Sequence, residues 1–167
     1  MVRISPSCQP EPASLDQPVE HLLACHRRIE QRLETLERAC LAVADRPGEA
    51  GAAVENVLRF LETNGAWHTE DEEVSILPRL GPHLGGEDRE FIGELRGQHK
   101  RIEHEVSLLR SMPVTEEGFA QLVTRVCASY REHIRFEESR LPDLARRHLS
   151  AEDLAAVSGE MKRRRSL

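Results

Sequence analysis

Apolar residues recur every three or four positions along four long stretches of the chain, and segments rich in proline or glycine separate these stretches. This spacing is that of one face of a helix, so it predicts four amphipathic helices. We place them at about 16–46, 49–78, 87–112 and 115–142, with Thr115 as the cap of the fourth helix. Short connections make successive helices antiparallel neighbours, so the expected fold is an all-α, up-down-up-down four-helix bundle.

The rest of the chain flanks this bundle. A proline-rich sequence predicts a disordered leader over residues 1–15. The bundle itself is expected over residues 16–148. Ser150 is placed to cap a short extra helix within residues 149–167, which ends in the basic tail Lys-Arg-Arg-Arg. We expect that tail to be solvated.

Each predicted helix carries one histidine inside its apolar stripe, at a position typical of leucine. The four are His26, His68, His99 and His133. Two carboxylates, Glu72 and Glu137, follow two of these histidines by four residues and lie on the same stripes. With a rise of about 1.5 Å per residue, the four imidazoles lie roughly 12–18 Å from the same end of the bundle. They are therefore expected to form one layer.

A single histidine on a helix stripe is more often a core residue than a ligand. Eight histidines placed at random would put roughly one or two on the stripes, whereas here every helix has one at the same depth. Buried carboxylates without partners are also costly, and two of them repel each other. Cations remove both penalties, so the pattern predicts a buried metal centre.

The ligand set exceeds that of one tetrahedral zinc site. Four imidazoles and two carboxylates suit two five- or six-coordinate ions bridged by carboxylates, with positions left for water, an oxo group or dioxygen. Mixed imidazole and carboxylate ligands within a helical bundle favour iron, then manganese, and zinc can occupy such a site as a substitute.

The two halves of the chain resemble each other. The segment HRRIEQRLETL at 26–36 matches HKRIEHEVSLL at 99–109, and HTEDEEVSILP at 68–78 matches HIRFEESRLP at 133–142. One helical hairpin therefore looks repeated, and a pseudo-twofold axis would bring two equivalent ligand sets face to face.

Three further residues have two interpretations each. Glu30 and Glu103 follow their histidines by four residues and are equivalent in the repeat. They are either additional ligands of a symmetric site or flank residues that pair with arginine or orient an imidazole. Tyr130 lies one turn before His133. It either donates a hydrogen bond or an electron to bound oxygen from outside the ligand set, or it is simply a core tyrosine.

Composition limits the remaining function classes. The net charge of −6, with both signs interspersed, does not indicate a nucleic-acid partner. No apolar run approaches about 18–20 residues, so no membrane span is expected. Neither a signal peptide nor a cysteine pair at staple spacing is present, which favours reduced thiols in a cytoplasmic protein. No flavin or nicotinamide motif occurs, so any electron donor would be external.

Over about residues 18–147 the chain resembles the hemerythrin-like (HHE cation-binding) domains. The resemblance rests on His26, on His68-x3-Glu72 with the following glutamate, on His99 and on His133-x3-Glu137. It implies a non-haem centre of two iron ions (Fe2+/Fe3+), oxo or hydroxo bridged, with Glu72 and Glu137 as the bridging carboxylates. Oxygen-carrying hemerythrins have His-x3-His in the third helix and His-x4-Asp in the fourth.

This chain departs from that pattern at both places, with His99-x3-Glu103 and His133-x3-Glu137. The loss of the fifth histidine argues against simple reversible oxygen carriage. The resemblance is closer to HHE proteins linked to iron sensing, nitric oxide, peroxide and oxidative stress. The expected partner is thus a small diatomic molecule or a peroxide. The alternatives are a di-iron oxidase or peroxidase with an external donor, and a structural or regulatory metal module. A homodimer is also compatible with the sequence.

Overall fold

The structure, a computed structural model, describes residues 14–167. Most of these residues are helical, and the described part of the chain contains no strand. Most of the predicted leader, residues 1–15, lies outside the described residues, and so does Cys8. The other three cysteines are free thiols. Within residues 14–167, none of the helices combines the length and the apolarity that crossing a bilayer requires.

Four helices form an up-down-up-down bundle, as predicted. The first, third and fourth bundle helices are α1 (Pro18–Ala42), α5 (Gly86–Ser111) and α6 (Phe119–Glu138). The second bundle helix consists of α2 (Pro47–Phe60), a π-helical segment (Leu61–Gly65), α3 (Ala66–Glu70), a second π-helical segment (Asp71–Ile76) and α4 (Leu77–Leu80), followed by a 3-10 turn (Gly81–His83). The helix α1 packs against α2 and α6, and α5 packs against α6.

Two short helices follow the bundle instead of the single one expected. Pro142 lies in the first turn of α7 (Leu141–His148), where its missing N–H costs no hydrogen bond. The last helix is α8 (Ala151–Arg164). Its predicted cap is confirmed: Ser150 Oγ accepts from the backbone N–H of Asp153, and the Asp153 carboxylate accepts from the backbone N–H of Ser150.

The first π-helical segment changes which residues of the second helix face inward. A continuous α-helix would bring Asn64, three residues after Leu61, to the inner side, but Asn64 is exposed and Gly65 is buried. A π turn contains more residues than an α turn, so the inward position after Leu61 moves to Gly65. The second segment turns Asp71 and Glu72 inward together.

The predicted start of the fourth bundle helix was wrong. The helix α6 begins at Phe119, and Thr115 lies in the preceding turn. Gly118 has a φ of 93°, in the left-handed region that glycine tolerates, and a regular helix cannot pass through this conformation. The chain therefore changes direction at Gly118.

The basic tail is only partly solvated, contrary to the expectation from sequence: Arg163 is exposed, but Arg164 and Arg165 are largely buried. Arg164 and Arg165 both form ion pairs with Asp71, a fully buried carboxylate of the second helix. Arg164 also donates to Ser75 Oγ over 3.1 Å. These contacts fix the end of α8 against the second helix, close to Glu72.

Two apolar clusters fill the bundle on either side of a polar layer. One contains residues such as Leu33, Val57, Leu109 and Val126. The other contains residues such as Ile76, Leu80, Leu95 and Leu144. On α1, the second helix and α5, the predicted histidine falls between members of the two clusters. On α6, His133 lies between Tyr130 and Ile134 of the first cluster, and Phe136, which packs against the second cluster, follows. Apolar packing therefore lies on both sides of the polar layer.

Candidate metal centre

The structure brings the six predicted site residues together in the polar layer. They are His26 of α1, His68 of α3, Glu72 of the second π-helical segment, His99 of α5, and His133 and Glu137 of α6. All six are at most 7% exposed, so water provides little solvation for their polar atoms. Four separate helices therefore supply one buried cluster of imidazoles and carboxylates.

The cluster divides into two groups of potential ligands. One group is His26, His68, Glu72 and Glu137; the other is Glu72, His99, His133 and Glu137. In each group, one donor atom per residue lies within 4.8 Å of the others. Glu72 and Glu137 belong to both groups, which is the arrangement required of carboxylates that bridge two ions.

The two carboxylates reach both groups in different ways. Glu72 directs Oε1 to His68 Nε2 at 2.9 Å and Oε2 to His99 Nε2 at 3.0 Å. Glu137 directs a single oxygen, Oε2, to His26 Nε2 at 3.3 Å and to His133 Nε2 at 3.4 Å. Glu72 thus spans the two groups with both oxygens.

The donor atoms are arranged to bind cations rather than to form hydrogen bonds with one another. Among the described residues, both oxygens of Glu72, Oε2 of Glu137 and Nε2 of His99 are buried without a well-directed hydrogen bond. Buried polar groups are normally hydrogen-bonded, and leaving them unpaired is costly. Four such atoms within one cluster indicate lone pairs that converge on common points, as metal ligands do.

Two glutamates hold imidazoles from outside the cluster. Glu138 Oε1 lies 2.9 Å from His26 Nδ1, and Glu73 Oε1 lies 2.7 Å from His99 Nδ1. Each glutamate directly follows one of the two shared carboxylates in sequence. A hydrogen bond at Nδ1 fixes the ring orientation and leaves Nε2 free for a metal.

The other two histidines have different neighbours. Gln98 Oε1 lies 3.2 Å from His133 Nδ1, whereas the thiol of Cys25 lies beside His68. Gln98 and Cys25 occupy equivalent positions in the repeat, one residue before the histidine of their own helices. Burial raises the pKa of Cys25, but its interactions with His21 and His68 outweigh this and bring it to about 5. The repeat therefore places a glutamate beside His26 and beside His99, but an amide beside His133 and a thiol beside His68.

Glu30 and Glu103 belong to neither group. Both side chains are exposed, and Glu103 lies at the rim of a cavity that leads to the histidines. This is the position expected of flank residues rather than of ligands in the buried layer.

A cavity of about 700 Å³ opens onto one side of the cluster. All four histidines line it, and so does Tyr130, which is buried. Neither Glu72 nor Glu137 is among its lining residues. The carboxylates thus lie on the opposite, more closed side of the layer, where Glu137 lines a void of about 10 Å³. A molecule that enters through the large cavity would therefore meet the imidazoles first.

The charges of the cluster are strongly coupled. Burial lowers the pKa of His68, but Glu72 outweighs it and raises that pKa well above 6.5; the pKa of Glu72 is correspondingly far below its usual value. Burial and the charge of Glu72 raise the pKa of Glu137. Burial brings the pKa of His133 down to about 3. Without metal, the negative charges of the glutamates are therefore balanced by protonated histidines and by protons on the carboxylates.

These shifts predict that metal binding strengthens with pH. Imidazoles with a raised pKa stabilise the metal-free fold below about pH 6.5, and this contribution is lost as the pH rises through the raised values. A metal must displace the same protons, so its apparent affinity is expected to rise about tenfold per pH unit for each proton displaced. Titration calorimetry with zinc between pH 6 and 8, in buffers of different ionisation enthalpy, measures the apparent affinity and the number of protons that the metal displaces. An affinity that does not change with pH would contradict the prediction.

Comparisons with known proteins identify the family of the chain. The chain is 27% identical over 165 residues to an uncharacterised protein of Haemophilus influenzae, covering 93% of this chain and 94% of that one. It is 24% identical over 98 residues to an uncharacterised hemerythrin-like protein of Schizosaccharomyces pombe, covering 59% of this chain and 48% of that one. The family described as the hemerythrin HHE cation binding domain matches residues 17–145. The chain therefore belongs to the hemerythrin HHE cation-binding family.

Proposed function

We propose that the protein holds a non-haem di-iron centre and uses it to bind, sense or detoxify a small oxidant: dioxygen, nitric oxide or peroxide. The proposed ligands are the six residues of the buried layer, with Glu72 and Glu137 shared between the ions. The proposal rests on one observation: the buried layer contains two groups of four potential ligands, and Glu72 and Glu137 belong to both.

The donor chemistry supports iron or manganese over metals that select thiolate ligands. Imidazole and carboxylate ligands suit iron and manganese, whereas no thiolate belongs to either group. Two ferrous ions with exchangeable positions would supply electrons to a small oxidant.

The chain's own residues would control access and orientation. Glu73 and Glu138 hold His99 and His26 by their Nδ1 atoms. The two apolar clusters exclude water from the closed side of the layer. The phenol of Tyr130, at the cavity wall, stays protonated because burial raises its pKa, so it can donate a hydrogen bond to a molecule that enters.

The test is anaerobic loading with ferrous iron, followed by metal analysis and absorption spectroscopy after air or nitric oxide is admitted. About two irons per chain, with new near-ultraviolet charge-transfer bands, are expected. His68→Ala should lose both, because it removes one ligand and leaves its partner Glu72 without a counter-charge. His104→Ala, which changes an exposed histidine, should retain both.

One ion or none in the unchanged protein, without spectral change, would overturn the proposal. Peroxide or nitric oxide turnover well above that of free iron would favour an enzyme supplied by an external donor. Metal-dependent folding without reactivity towards any of these oxidants would favour a structural or regulatory module.

A further inference from the structure

We propose that the cavity beside the candidate centre binds an uncharged, mainly apolar organic molecule that presents one hydrogen-bond acceptor to Tyr130. This inference rests on the proposed function, because the same four histidines form the inner wall of the cavity. It adds a class of ligand larger than the small oxidant.

The cavity is larger than a small oxidant requires. At about 30 Å³ per water molecule, a diatomic gas needs roughly 30–60 Å³. The cavity is open at its rim and has a volume of about 700 Å³, which is within the range of sites that hold drug-sized molecules. Its space is thus more than ten times what a diatomic molecule or a peroxide requires.

The second bundle helix contributes two small residues to the cavity wall. Gly65 lies opposite Tyr130, and a Cβ at this position would lie 3.7 Å from the phenol oxygen. Ala66 follows it on the same wall. Larger side chains at these positions would occupy the space between the second helix and α6.

The walls indicate an apolar ligand. Branched aliphatic side chains from all four bundle helices line the interior: Ile29, Leu61, Ile102, Val106 and Ile134. Apart from the histidines of the centre, Tyr130 is the buried polar side chain among the described residues that line the cavity. A ligand that fills this space therefore needs an apolar body and one acceptor near the metal layer.

The outer rim does not select a charged ligand. Arg96 donates to Glu73 over 2.9 Å, and Arg110 donates to Glu62 over 2.8 Å. These rim residues are partly exposed and neutralise one another. Both arginines at the entrance are thus engaged by carboxylates of the protein itself. The third cation there, Lys100, is exposed, and four glutamates outnumber the three cations of the lining: Glu62, Glu70, Glu73 and Glu103. The entrance therefore offers no net positive charge to a ligand carboxylate.

The test uses decan-2-one, an unbranched ketone, with decanoate as its charged counterpart. Binding to the zinc-loaded protein is measured by titration calorimetry, and metal content is measured in the same sample. We expect the ketone to bind at least tenfold more tightly than decanoate. Tyr130→Phe should weaken ketone binding roughly 2- to 10-fold, the effect of one hydrogen bond.

A matched pair of variants locates the binding. Val106→Phe places a ring inside the cavity and should weaken ketone binding at least tenfold. Leu108→Phe, two residues further along the same helix and outside the cavity lining, should leave it unchanged. Circular dichroism shows whether both variants fold.

The outcomes separate this inference from the proposed function. Absence of ketone binding while two ions remain bound, tighter binding of decanoate, or an equal effect of the two phenylalanine variants would overturn the inference alone. Ketone binding in a protein that takes up no metal would overturn the proposed function alone.

Discussion

Replacing Glu72 with alanine is expected to reduce the bound metal from about two ions per chain to one or none. Glu72 reaches His68 with one oxygen and His99 with the other, so it serves both groups of ligands. Its loss removes one ligand from each ion and the negative charge between them. No other carboxylate of the described residues is common to both groups except Glu137. Metal analysis by mass spectrometry after loading measures the result.

The controls separate loss of a ligand from loss of the fold. Glu72→Gln keeps the shape of the side chain but removes the charge, and it should also lose metal. Glu103→Ala changes an exposed glutamate outside both groups and should retain two ions. Glu73→Ala removes the outer partner of His99 and should weaken binding about 10- to 100-fold. Two tightly bound ions in folded Glu72→Ala protein would contradict the shared-ligand arrangement.

The position of the polar layer could be predicted because helix geometry determines it. One histidine per stripe, at matching distances from the same end of the bundle, places His26, His68, His99 and His133 at one depth without any tertiary information. Glu72 and Glu137 follow from the four-residue spacing. The two apolar clusters are the ordinary consequence of the same stripes.

Details that depend on tertiary packing could not be predicted. The π-helical segments, and with them the inward turn of Gly65 and Asp71, leave no periodic signal in the sequence. The Nδ1 partners Gln98 and Glu138 lie beside the stripe, and only side-chain rotamers decide whether they reach an imidazole. The repeat does contain a signal for the glutamate partners of His26 and His99, because a second glutamate directly follows each of the two shared carboxylates.

The cavity was also beyond prediction, for a different physical reason. Its volume depends on the spacing between the second helix and α5, and on Gly65 facing the phenol of Tyr130. Neither the spacing of helices nor the direction of an aromatic side chain follows from an apolar stripe. The closed and open sides of the layer therefore became distinguishable only in three dimensions.

Replacing both Arg164 and Arg165 with alanine is expected to lower the free energy of unfolding by about 3–5 kcal/mol. The Asp71 carboxylate is fully buried, and the two guanidinium groups are its charge partners. Removing both leaves a buried charge without compensation. Arg165 also stacks over the ring of Trp67, 5.5 Å from its centre, and this contact is lost too. The midpoint of thermal unfolding should fall by about 6–20 °C.

Matched variants test whether the buried charge is the cause. Arg163→Ala, an exposed neighbour on α8, should change stability by less than about 0.5 kcal/mol. Adding Asp71→Asn to the double variant should recover most of the loss, because the unpaired charge is removed. Asp71 directly precedes Glu72 in the same π-helical segment, so the double variant should also release zinc to a chelator faster. A loss below about 1 kcal/mol would mean that these pairs behave like surface salt bridges and that α8 does not support the metal layer.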